Sequence, residues 1–163
     1  MDKELTIYLE DHLAMIVGEM ELAERCRNQN PASELARHLE QQLADTQVQR
    51  AAAEAILHQL QPNVSLPGQL KQGALWAAEK LGRLKTNGSM TSYSKLSRVV
   101  ELEALTLAAT ERVFLWESLG LITHDPRFVD IPAGKMLEAA QGHVKELSRF
   151  RLAAGRVCFH STS

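Results

Sequence analysis

All five prolines of the chain, Pro31, Pro62, Pro67, Pro126 and Pro132, fall in short polar joints. Each removes a backbone donor and biases the residue before it away from the helical region, so regular helix can run only between these points. The segments they leave are long, rich in Ala, Leu, Glu, Gln and Arg, and almost free of the β-branched alternation that marks strands. Asn87-Gly88 adds one further stop, since a glycine after an asparagine makes a good left-handed helix terminus. The punctuation predicts an all-α chain of five helices, at about 3–28, 32–60, 67–86, 93–120 and 133–157.

Helical spacing supports each segment. Leu5, Leu9, Leu13, Ile16, Met20 and Ala23 form one stripe on the first, and Leu35, Leu39, Leu43, Ala53, Leu57 and Leu60 on the second. The third reads through Leu66, Leu70, Gly73, Ala77, Leu81 and Leu84, the fourth through Leu96, Val99, Val100, Leu107, Thr110 and Phe114, and the fifth through Leu137, Ala140, Val144 and Leu147. The turn around Asn28 to Pro31 is too short for anything but a reversal, which predicts an antiparallel four-helix bundle with an additional C-terminal helix. Ser65, Thr91, Ser92 and Asp130 stand before predicted helix starts as candidate caps.

With 163 residues, 45% of them apolar and 23% charged, the chain suffices for one domain over 1–163 and is unlike disordered, collagen or disulfide-scaffold sequences. Its net charge of −2 gives no global excess that would favour nucleic acid. No stretch reaches the ~18 consecutive apolar residues of a membrane span. The first twenty residues carry Asp2, Glu4, Glu10, Asp11 and Glu19, unlike a secretory signal, so a cytoplasmic protein is expected. Cys26 and Cys158 lack the spacing of a thiol or zinc motif and are expected to be reduced, structural thiols. Charge is uneven: residues 1–61 hold 11 acids and 5 bases, residues 62–98 hold 1 acid and 6 bases.

Glu103 breaks the pattern of its segment, because it falls at the centre of the stripe through Val99, Val100 and Leu107 and is predicted to point inward. A buried carboxylate wants a metal, a base or a hydrogen-bond network. His12 and Glu19 lie seven apart on the first helix, and Gln42, Thr46 and Gln49 take bundle-facing positions on the second, so a polar layer inside the bundle is predicted. The inward Glu-Xaa-Xaa-His pairs of di-iron bundles are missing, and His38, His124 and His160 are expected to be solvated. Trp76, Lys80 and Arg83 fall on one flank of the third segment, a layout suited to an anion or an acidic partner, or to pairing with the acidic first half of the chain. Glycine-rich phosphate loops and nucleophile elbows are missing, so no enzyme activity is assigned.

The stretches Tyr8-Leu9-Glu10-Asp11-His12-Leu13-Ala14, Trp76-Ala77-Ala78-Glu79-Lys80-Leu81-Gly82-Arg83-Leu84-Lys85-Thr86-Asn87-Gly88 and Tyr93-Ser94-Lys95-Leu96-Ser97-Arg98-Val99-Val100-Glu101-Leu102-Glu103 resemble an uncharacterised group of bacterial ferritin-like proteins. The likeness covers most of residues 5–155. It implies a four-helix bundle, and it makes His12, Glu19 and Glu103 the candidate metal positions. The inward Gln42, Thr46 and Gln49 depart from a metal-binding relative, and Glu79 falls opposite the stripe of its own segment. The residues therefore favour a bundle without a complete metal site, a structural or binding protein, with a homodimer as one form. The alternative is a ferritin-like protein of stress response or iron handling that holds iron or another divalent metal through a non-standard carboxylate and histidine set.

Overall fold

The computed structural model describes residues 2–62 and 93–160. These form four helices, α1 (Asp2–Gln29), α2 (Glu34–Leu60), α3 (Lys95–Gly120) and α4 (Ala133–Phe159), and no strand occurs among the described residues. The predicted segment 67–86, with Trp76, Glu79, Lys80 and Arg83, lies outside the described residues, as do Ser65, Thr91 and Ser92. The final described helix packs on the core, where Met136, Ala140, His143 and Leu147 are buried.

Local chemistry sets the boundaries. After α1, Asn30 is buried and donates from Nδ2 to the Cys26 carbonyl at 2.7 Å and to the Tyr93 hydroxyl at 3.0 Å, which ties the turn to the start of α3. Ala32 takes a left-handed φ of 57°, and Ser33 then caps α2 by accepting from the Ala36 amide at 3.0 Å. Ser94, and not a residue further upstream, caps α3 through a reciprocal box with Ser97. No side chain caps α4, so Asp130 does not fill the predicted role. Phe128, in the turns between α3 and α4, is buried against that end of the core.

The apolar interior divides into two clusters. One joins Leu9, Leu13 and Ile16 of α1 to Ala53, Ile56 and Leu57 of α2, to Leu115, Trp116 and Leu119 of α3, and to Met136 and Ala140 of α4. The other joins Leu22, Ala23 and Cys26 to Leu35 and Leu39, to Val99, Leu102, Leu105 and Ala109, and to Leu147 and Ala154. The chain therefore reverses between α1 and α2 and again between α3 and α4. The end of α2 belongs to the first cluster and the start of α3 to the second, so α2 and α3 run in the same direction.

Of the predicted stripe on α3 only Val99 is buried. Leu96, Leu107 and Phe114 are exposed, and so is Glu103; the core is met by Val99, Leu102, Leu105, Ala109, Leu115, Trp116 and Leu119. Two apolar rows run along this helix, and the buried one is interrupted in sequence by Glu101 and Arg112. Both charges are buried because each finds its counter-ion, Arg25 and Glu19 respectively.

Candidate functional site

Between the two apolar clusters lies a polar layer to which every described helix contributes. Glu19 of α1, Gln42, Thr46 and Gln49 of α2, Arg112 and Trp116 of α3 and His143 of α4 are all buried. Arg112 is at its centre. Its Nε donates to Glu19 Oε2 at 2.7 Å and its Nη2 to Glu19 Oε1 at 2.8 Å, the forked geometry in which a guanidinium best matches a carboxylate. Its Nη1 donates to Gln49 Oε1 at 3.0 Å, and the same oxygen accepts from Trp116 Nε1 at 2.7 Å. Gln42 Nε2 donates to Glu19 Oε1 at 2.8 Å.

The layer fixes the tautomer of His143. A guanidinium has no acceptor, so the 3.2 Å contact with Arg112 Nη2 makes His143 Nδ1 the acceptor. The proton then sits on Nε2, which donates to Asp45 Oδ2 at 3.1 Å. Burial first, and the Arg112 charge second, hold the imidazole below its ordinary pKa of 6.5, against the pull of Asp45. His38, expected to be solvated, is half-buried against Phe150 and near the His143 ring, and burial lowers its pKa too. Thr46 Oγ1, Gln42 Oε1 and Gln49 Nε2 are buried with no hydrogen-bond partner.

The positions implied for a metal separate. Glu19 is in the layer, but its two oxygens face Arg112 and Gln42, so a cation could be held there only by displacing the guanidinium. Glu103 is exposed on the outer side of α3. His12 is half-buried on the flank of α1 toward α3: Nδ1 donates to the Tyr8 carbonyl at 2.9 Å, and Nε2 lies 3.8 Å from Glu111 Oε2. Among the described residues no group of three or more His, Cys, Asp or Glu is placed to hold a metal ion. The three residues as placed do not fit one metal site.

No protein-family model, curated protein or solved structure matches this chain. No described helix is long and apolar enough to cross a membrane.

A second polar cluster lies near the α1–α2 turn. Glu101 Oε1 accepts from Arg25 Nε at 2.9 Å and Nη2 at 2.8 Å, while Oε2 is buried without a partner. Beside it Cys26 is fully buried, and desolvation, then the Glu101 charge, pushes its thiol up to about 12, so it is unreactive. Cys158 is half-buried and, like Cys26, in no disulfide. Sequence reasoning found Glu19, Gln42, Thr46 and Gln49 but missed Arg112, Trp116 and His143. The available signal was that Arg112 shares a face with Leu105, Ala109 and Leu119.

Proposed function

We propose that this chain is a ferritin-like helical bundle in which a side chain takes the place of an interior metal, and that it acts as a structural or binding protein. The observation that carries this reading is the Arg112 guanidinium forked onto Glu19 in the middle of the core. A buried carboxylate must be compensated, and here the chain supplies the cation itself. The reversals between α1 and α2 and between α3 and α4, with α2 and α3 running in the same direction, support the ferritin-like part of the reading. The two free thiols fit a reducing, cytoplasmic setting. Elemental analysis of protein purified without chelators tests the proposal: it requires substoichiometric metal, and one equivalent or more of iron, manganese or zinc overturns it.

One observation favours a second reading, a bound divalent cation. His12 Nε2 is buried with no hydrogen-bond partner while its other nitrogen is anchored on a carbonyl, the outer support that ligating histidines commonly have. Metal found in the protein and lost in His12→Gln, but kept in Glu103→Gln, would establish that reading in place of the first.

A further inference from the structure

A chain of hydrogen bonds leaves α2 at Gln42, passes through Glu19 and Arg112, and returns to α2 at Gln49. Thr46 stands between the two glutamines on the same inner face. The bonds fix both amides: Gln42 must turn its nitrogen to the carboxylate, and Gln49 its oxygen to Arg112 and Trp116. Gln42 Oε1 and Gln49 Nε2 are thereby left over, each buried with no partner among the described residues, and so is Thr46 Oγ1. Thr106 and Thr110 of α3 settle their hydroxyls on the carbonyl four residues back, at 2.6 and 2.8 Å, but Thr46 makes no such bond. Arg112 adds one more donor. Its other guanidinium protons are taken by Glu19, His143 and Gln49, while the second proton of Nη1 meets no acceptor among the described residues.

We propose that the inner face of α2 binds ordered water between Gln42 and Gln49, shared by Gln42 Oε1, Thr46 Oγ1 and Gln49 Nε2. The unmet groups require an occupant that both donates and accepts, because Gln42 Oε1 only accepts, Gln49 Nε2 and Arg112 Nη1 only donate, and the Thr46 hydroxyl does either. They also require a neutral one. Glu19 and Arg112 already cancel, so an ion would add an uncompensated charge to the core. Enclosure keeps the occupant small, since Gln42, Thr46 and Gln49 are 1, 1 and 0% exposed. Water meets all three conditions and finds here the several polar partners that a buried water takes. His38, one turn before Gln42, offers a direct closure for part of the site: its Nε2 is also buried without a partner, and its approach to the Gln42 amide favours the protonated ring. A bond between those two would still leave Thr46 and Gln49 unmet. Water in this place ties the middle of α2 to the Glu19–Arg112 pair without altering the pair's own bonds.

Oxygen-17 relaxation dispersion of the full chain counts long-lived interior waters and tests the assignment. Thr46→Val keeps the shape of the side chain but removes its hydroxyl, and should lower the count by at least one water. Thr46→Ser keeps the hydroxyl and should leave the count unchanged. In the unmodified protein the side-chain amide protons of Gln49 should give cross-peaks to water of opposite sign in NOE and ROE spectra, the mark of a molecule that stays. An equal count in Thr46→Val overturns the proposal, as does a Gln49 amide with no cross-peak to water. So does one equivalent of a bound ion that elemental analysis finds in the unmodified protein and not in Thr46→Val. Should Thr46→Val fail to fold, the Gln49 cross-peaks of the unmodified protein decide alone.

Discussion

Arg112 reaches 93 positions back along the chain to hold both carboxylate oxygens of Glu19, with both side chains 1% exposed. This pair joins α1 to α3 at the level where the two apolar clusters meet, and the amides of Gln42 and Gln49 connect it to α2. Such an arrangement fixes which turn of α1 faces which turn of α3, because sliding either helix by one turn leaves a buried charge unpaired. Its contribution to net stability is a separate matter, since desolvation of two ions offsets most of their attraction.

A mutant cycle should separate those two roles. Arg112→Met or Glu19→Leu alone leaves one charge stranded in the core and should cost about 3–5 kcal/mol. The double variant removes both charges and should recover most of that loss. Urea denaturation of the four proteins measures the coupling. Additive losses in the double variant would show that the two side chains act independently.

Stability should depend on pH through His143. Its folded pKa lies below 6.5, so the unfolded chain binds the proton more readily, and stability rises with pH across this window. The contribution is complete above the unfolded value of about 6.5 and is lost as pH falls through it toward the folded value. Protonating Nδ1 would also remove the acceptor that Arg112 uses and set two cations together. His38, lowered by burial, acts with the same sign. Melting temperature should therefore drop on acidification below pH 6.5, with a shallower slope in His143→Gln. An equal slope in that variant would clear His143 of the role.

The three helices whose apolar residues form one row, α1, α2 and α4, were legible in sequence along with their inward faces. Even the polar layer on α2 was readable, because Gln42, Thr46 and Gln49 fall in line with Leu35, Leu39 and Ala53. The error on α3 has a physical cause. Helical spacing alone favoured the row of Leu96, Leu107 and Phe114 with Glu103 at its centre, yet the row broken by Glu101 and Arg112, which holds Trp116, is the buried one. Which charges are tolerated inside depends on partners 76 and 93 positions away, and pairings over such distances leave no local trace.

The turn between α1 and α2 stores strain at Ala32, whose φ of 57° places Cβ close to backbone. Glycine takes this conformation without penalty but makes the unfolded chain more flexible. Relief should win, and Ala32→Gly should raise stability by about 0.5–1 kcal/mol. Thermal unfolding checks it, and a lower melting temperature would mean that the turn is relaxed.

Three glutamates should rank by what each removal strands. Glu19→Ala leaves Arg112 unpaired at 1% exposure and should be the most damaging, by about 3–5 kcal/mol. Glu101 is as well buried as a residue, but its partner Arg25 is 37% exposed and can return to water, so Glu101→Ala should cost less, about 1–3 kcal/mol. Glu103 faces solvent, and both Glu103→Gln and Glu103→Leu should stay within about 0.5 kcal/mol of the unmodified protein. Glu101→Ala has a second readout. The Glu101 charge helps to hold the Cys26 thiol near 12, so its removal should bring the thiol partly down, with burial keeping it above the ordinary value. Alkylation of Cys26 against pH, followed by peptide mass spectrometry, would register that shift. If Glu103→Gln proved as destabilising as Glu101→Ala, the orientation assigned to α3 would be wrong by half a turn.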